Sequence, residues 1–287
     1  MCKIALISGK GGTGKTLVAT NLSYSATLNQ MVTLYDLDAE EPNAHLFFDF
    51  PGYTEESVET MIPKVDKTLC DSCGICSKVC EFNAIIDIGY ETLVFPELCH
   101  SCYSCLELCP AHAISEGIRN IGKVRYTGFH ENLRLVECRI NVGEMSVTPI
   151  LRKVKTKMSD RSELQIIDSP PGNSCAIVEI IKDMDYVIIV TEPTIFGFHD
   201  FKLVIETINL LHKPFGVVIN KSTPFSSIIS DYCMNEGIKI LGEIPLSKNI
   251  ASEYAKGNLI CRNDFSVRQI FREILEEINV LVTEISL

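Results

Sequence analysis

Short, unbroken apolar runs recur along this chain, and the stretches between them change period. Ile4–Ile7, Val32–Tyr35, Leu164–Ile167, Tyr186–Val190, Phe215–Ile219 and Ile238–Leu241 lack the in-out alternation of a half-exposed strand, so each reads as a strand covered on both faces. Thr16–Leu28, Phe198–Leu211, Ser226–Asn235 and Val267–Val282 instead carry apolar residues at helical spacing. Alternating strand and helix require crossover connections, which predicts an α/β fold with a mainly parallel sheet and helices on both faces. The alternation breaks between about Ile62 and Gly117 and then resumes. A small inserted module follows, with boundaries at 1–61, 62–118 and 119–287. Between Gly122 and Lys157 the pattern is ambiguous: Val124–Tyr126 and Leu133–Val136 suit strands, and Pro149–Lys157 suits a basic helix.

Composition narrows the function classes. A chain of 287 residues with 46% hydrophobic content can bury a sizeable core, so wholesale disorder is excluded. With 26 Lys+Arg against 37 Asp+Glu the formal net charge is -11, which argues against a broad basic face for nucleic acid or anionic lipid. No membrane-length apolar stretch and no signal-peptide core is present in the sequence, so a cytoplasmic protein is expected. In that reducing setting the 13 cysteines point to metal ligation or catalysis before disulfides. Eight of them lie in the insert, where Cys70, Cys73, Cys76 and Cys80 recur 29 residues later as Cys99, Cys102, Cys105 and Cys109. Ala84-Ile85 recurs at the same offset as Ala113-Ile114, which indicates a module built from duplicated halves.

The segment Gly9-Lys10-Gly11-Gly12-Thr13-Gly14-Lys15-Thr16 follows the first strand and opens a helix, the context a Walker A phosphate loop requires. Its glycines let backbone N–H groups turn toward a phosphate, and the helix N-terminus adds a favourable dipole. Lys15 is placed for the β- and γ-phosphates and the Thr16 hydroxyl for Mg²⁺. A second lysine within the loop, Lys10, makes the string resemble the deviant Walker A signature of the MinD/ParA and nitrogenase iron-protein ATPases. That resemblance implies an ATP-dependent homodimer in which Lys10 reaches the partner's nucleotide. It also implies that Asp36-Leu37-Asp38 is switch I, with Asp38 orienting the attacking water and Asp36 supporting the Mg²⁺ shell. By the same likeness Asp168-Ser169-Pro170-Pro171-Gly172 is switch II, with Asp168 acting on Mg²⁺ through water, and Asn220 and Pro245 contact adenine.

The doubled Cys-x₂-Cys-x₂-Cys-x₃-Cys run resembles bacterial ferredoxins, in which the fourth cysteine of each run ligates the other run's cluster. The resemblance implies two [4Fe-4S] clusters, one on Cys70, Cys73, Cys76 and Cys109 and one on Cys99, Cys102, Cys105 and Cys80. Zinc is the alternative metal for four thiolates. Pro110 follows Cys109 as the ferredoxin pattern requires, whereas Glu81 stands at the equivalent place after Cys80. His100 and His112 are expected at the surface. Cys175, seven residues after Asp168, could join Cys138 in a cluster between subunits, as in the nitrogenase iron protein, or be a small buried residue. Cys2, Cys233 and Cys261 show no partner pattern.

These readings predict a MinD/ParA-type P-loop ATPase with an inserted ferredoxin-like α+β module. Its expected role couples ATP state to electron transfer toward a redox or iron-sulfur partner protein. A cluster carrier resembling Mrp-type ATPases and a positioning ATPase of the MinD/ParA kind are the alternatives. The last helix pairs Arg268 and Arg272 with Glu273, Glu276, Glu277 and Glu284, which places the positioning role last and leaves no membrane or nucleic-acid partner expected.

Overall fold

The computed structural model describes residues 2–144, 146–158, 162–172, 175–224 and 227–285. In chain order the elements are β1 (Cys2–Ile7), α1 (Lys15–Ala26), β2 (Val32–Asp36), β3 (Tyr53–Val65), α2 (Ile75–Val79), β4 (Ile85–Asp87), β5 (Thr92–Val94), α3 (Ser104–Glu107), β6 (Ile114–Thr127) and β7 (Leu133–Ile140). There follow α4 (Thr148–Thr156), β8 (Leu164–Asp168), α5 (Cys175–Ile181), β9 (Tyr186–Thr191), α6 (Ile195–Leu210), β10 (Phe215–Ser222), α7 (Ile228–Asn235), β11 (Ile240–Pro245), α8 (Lys248–Ala255), α9 (Ile260–Asn263) and α10 (Phe265–Ile285). Short 3-10 turns occupy Ala44–Phe47 and Pro96–Leu98. The expected start of α7 at Ser226 lies outside the described residues.

Nine strands form one sheet in the order β11-β10-β9-β1-β8-β2-β7-β6-β3. The pairs from β11 across to β7 are parallel. Every residue of β2, β8 and β9 is buried, as continuous apolar runs demand when both faces are covered. The order β1-β8-β2 matters most, because it sets the ends of three strands side by side: Leu6 pairs with Asp168, and Asp168 pairs with Asp36. Ligands of open α/β sheets collect at that carboxyl edge. One face packs α1, α9 and α10 on the sheet through Leu17, Val18, Leu22, Ile260, Phe271 and Ile274.

The chain divides into two compact units. The first comprises Met1–Glu55, Val124–Arg139 and Val154–Leu287; the second comprises Glu56–Lys123 and Ile140–Lys153. The ambiguous stretch after Gly122 resolves into the end of β6, all of β7 and α4. The apolar pattern did not reveal β3 in Tyr53-Thr-Glu-Glu-Ser-Val-Glu-Thr-Met-Ile-Pro-Lys-Val65. This strand stands at the sheet edge with half its positions exposed, so its sequence is polar and no buried run marks it.

Within the second unit β4 and β5 pair antiparallel, with Ile85 opposite Val94. One hydrophobic cluster of this unit buries Ile85, Cys105 and Ile114, with Val65, Val94, Leu106 and the half-buried Cys76, Cys80 and Cys109 around them; Val58, Met61, Ile121, Ile150 and Leu151 are buried in the unit as well.

Candidate functional site

The loop from Gly9 to Thr16 joins β1 to α1 at the carboxyl edge. Gly14, the residue before α1, has φ +95, and a Cβ there would lie 2.2 Å from the Asn220 Nδ2. Gly9 is also closely pressed, since its Cβ would meet the Asp200 backbone oxygen at 2.6 Å. Gly11, Gly12 and Thr13 complete the loop, and Asn220 fastens it by donating from Nδ2 to the Thr13 carbonyl at 2.7 Å. Lys15 is 6% exposed and its Nζ donates to Ser8 Oγ at 3.0 Å. Burial holds its pKa below the ordinary lysine value, against the pull of Asp168, Asp38 and Asp36. A desolvated ammonium at a helix N-terminus is a ready donor to phosphate oxygen.

Three carboxylates face that lysine. Asp168 closes β8, and its Oδ2 accepts from Thr16 Oγ1 at 2.6 Å. Its Oδ1 is buried with no hydrogen-bond partner among the described residues. Burial pushes Asp168 up to about 6, while Lys15 and Thr16 restrain the rise. Asp36 closes β2 and is raised well above its ordinary value, by burial first and by the Asp168 charge second. Its Oδ2 accepts from the N–H groups of Asn43 and Ala44, each at 2.8 Å, so Asp36 braces the segment that follows β2. Asp38 is raised by burial and lowered by Lys15. Carboxylates outnumber the lysine here, and one has an orphaned oxygen beside a threonine hydroxyl; that set suits Mg²⁺, held by Thr16 and by Asp168 directly or through water.

Two contributors had no local sequence signature. Glu192, just after β9, accepts from Lys10 Nζ at 2.5 Å and from Lys221 Nζ at 2.8 Å. Lys221 Nζ also donates to the Gly12 carbonyl at 2.8 Å, tying β10 to the loop. Lys10 is therefore engaged within its own chain. The second contributor is Tyr254 of α8, packed on Phe47 with ring centroids 5.1 Å apart, whose hydroxyl reaches Thr16. Pro245 ends β11 at an exposed position. Cys175 is exposed rather than buried: α5 turns Ala176, Ile177, Ile180 and Ile181 inward, and the first residue falls off that face. Cys138 is buried in β7, its thiol donating to the Asp36 carbonyl at 3.5 Å.

The eight cysteines of the repeat line two cavities in the second unit. Cys70, Cys73, Cys76 and Cys109 surround one; Cys80, Cys99, Cys102 and Cys105 surround the other. The fourth cysteine of each run has crossed to the other run's cavity. Backbone conformation repeats with the sequence: Ser72 and Ser101 both have φ 54, Gly74 and Tyr103 have φ 69 and 65, and Asn83 and His112 have φ 52 and 49. The Ala84 N–H donates to Cys80 Sγ at 3.2 Å and the Ala113 N–H to Cys109 Sγ at 3.3 Å. Among the described residues no three His, Cys, Asp or Glu side chains are arranged to grip a single ion. His100 is exposed and stacks on Phe82 with centroids 3.5 Å apart.

Comparison with known proteins agrees with the loop geometry. Residues 4–260 match the CobQ/CobB/MinD/ParA nucleotide binding domain. An uncharacterized protein of Methanocaldococcus jannaschii is 31% identical over 283 residues, covering 98% of this chain and 97% of that protein. A second uncharacterized protein of that organism is 29% identical, covering 97% and 96%. Among solved structures, the septum site-determining protein MinD with Mg-ADP from Pyrococcus horikoshii superimposes with a TM-score of 0.59 at 18% identity, covering 98% of this chain and 96% of that one. A Cyanothece McdA–ATP complex gives 0.61 at 16% identity, covering 97% and 96%. No helix among the described residues is long and apolar enough to cross a membrane.

Proposed function

Because the chain belongs to the CobQ/CobB/MinD/ParA nucleotide-binding family, we propose that it is a Mg²⁺-dependent ATPase that dimerises on ATP and carries two [4Fe-4S] clusters, coupling nucleotide state to electron transfer to a partner protein. The observation that carries this reading is the crossing of Cys80 and Cys109 into opposite cavities, each of which then has four thiols. Four cysteines per cavity and backbone N–H donors to sulfur suit retained clusters. When bound, the clusters supply one-electron chemistry at low potential.

The chain's own residues divide the remaining work. Lys15 and the loop N–H groups hold the β- and γ-phosphates, Thr16 and Asp168 hold Mg²⁺, and Asp38 orients the water. Asp36 keeps switch I in register through Asn43 and Ala44. Lys10, released from Glu192, serves the second copy's nucleotide. Asn220 supports the loop, and Asn220 and Pro245 remain the adenine-side candidates. Anaerobically purified protein should contain about eight irons with matching sulfide and hydrolyse ATP only with Lys15 intact. Fewer than about six irons, or turnover that survives Lys15→Ala, contradicts the reading.

A positioning role is the second reading. Its support is the likeness to cell-division and plasmid-partition proteins, MinD from Aquifex aeolicus among them, over 96–98% of this chain. ATP-dependent pelleting with liposomes or DNA would establish it over the redox role.

A further inference from the structure

The two cysteine cavities share a backbone but not a charge. At the repeat offset of 29 residues, Asp71 corresponds to His100 and Asp87 to Glu116. Asp71 belongs to the lining of the first cavity, and its Oδ1 accepts from the N–H of the ligand residue Cys73 at 3.2 Å. Asp87 turns its Oδ2 to the same ligand loop: a Cβ on Gly74 would lie 3.3 Å from it. Oδ1 of Asp87 accepts from the Gly89 N–H at 3.1 Å, which fixes the carboxylate in that orientation. The second cavity has no carboxylate in its lining; His100, Phe82 and Tyr103 stand there instead. Glu116 sits at an exposed position on β6, and Glu81 is exposed as well, so water screens both; Asp71 is exposed too and acts through its bond to Cys73, while Asp87 is half-buried.

We propose that Asp71 and Asp87 hold the cluster of Cys70, Cys73, Cys76 and Cys109 at a lower reduction potential than the cluster of Cys80, Cys99, Cys102 and Cys105. The inference rests on the cluster reading above and adds a direction to it. Reduction adds one negative charge to a site, and a fixed carboxylate beside the ligand loop opposes that charge. Deeper burial of Cys105 acts in the same sense on the second site, but Cys102 there stays exposed, so the loss of water is partial. An electron delivered to the first site by a low-potential one-electron donor passes downhill to the second; the first is oxidised, the second reduced, and no proton moves. The exit toward an acceptor then lies beside His100 and Phe82.

The test is a redox titration of the full, anaerobically purified holoprotein followed by electron paramagnetic resonance, with iron counted on each sample. Wild type should titrate in two separate one-electron steps. Asp87→Asn and Asp71→Asn should each move the lower step positive, by about tenfold in the equilibrium or about 59 mV for the stronger of the two, and leave the upper step in place. His100→Asp should move the upper step negative. Coincident steps in wild type, or a lower step that neither Asp87→Asn nor Asp71→Asn moves, overturn the inference. If iron is absent, the cluster reading fails and takes the inference with it; if about eight irons are present and the steps do not respond, only the inference fails.

Discussion

At the residue scale the nucleotide site is strained electrostatically before any nucleotide arrives. Asp168 and Asp36 are each 1% exposed and repel each other, and burial raises both pKa values. For Asp168 the folded state binds its proton up to about 6 against 3.8 for the free group. Its contribution to stability is therefore most favourable below 3.8 and falls as pH rises through about 6, staying low above that. Asp168→Asn should accordingly stabilise the nucleotide-free protein at pH 7 by on the order of 2 kcal/mol, seen as a higher Tm. The same variant should lose the stabilisation that Mg-ATP gives wild type. A lower nucleotide-free Tm would contradict the electrostatic account. In wild type, Mg-ATP affinity should drop as pH falls below about 6, because the cation must then displace the Asp168 proton; flat affinity from pH 5 to 8 by calorimetry would argue against a role for this carboxylate. Glu192 carries a further expectation. Glu192→Gln loosens its hold on Lys10 and Lys221, so ATP-dependent dimerisation should occur at lower protein concentration in sedimentation, and weaker dimerisation would reverse the assigned role.

Among the elements, legibility followed burial. β1, β2, β8 and β9 are buried on both faces, which leaves an unbroken apolar run in the sequence, and the loop that follows β1 has a motif tied to its own backbone turn. β3 left no such trace, because an exposed edge strand needs no apolar run. Glu192 and Tyr254 were equally hidden. Their partners, Lys10 and Thr16, are fixed by strand order and helix packing, and neither residue sits in a spacing that encodes the contact. The cysteine repeat was fully visible, and its backbone counterpart appears in matched left-handed residues at Ser72 and Ser101. Crossing of the fourth cysteines makes a sharp prediction for the helical ligand runs. Cys80→Ser should perturb the cluster spectrum associated with Cys99, Cys102 and Cys105, not that of its own run, and Cys109→Ser should do the converse. Loss confined to the run carrying the substitution would mean that the runs bind metal independently.

For the whole molecule, the family match spans residues 4–260 and so runs through both units, while the duplicated cysteine cavities belong to the second. Their order in the chain is suggestive: the segment braced by Asp36 leads through the turn at Ala44–Phe47 into β3, which continues into the second unit. The proposed function requires nucleotide state to act on clusters held by the second unit. The most direct check is electron paramagnetic resonance of the reduced, anaerobically purified protein with and without Mg-ATP. Cluster signals whose shape or potential change on adding Mg-ATP, and do not change in Lys15→Ala, are the expected result. Identical spectra and potentials in both states, with nucleotide binding verified on the same sample, would contradict it.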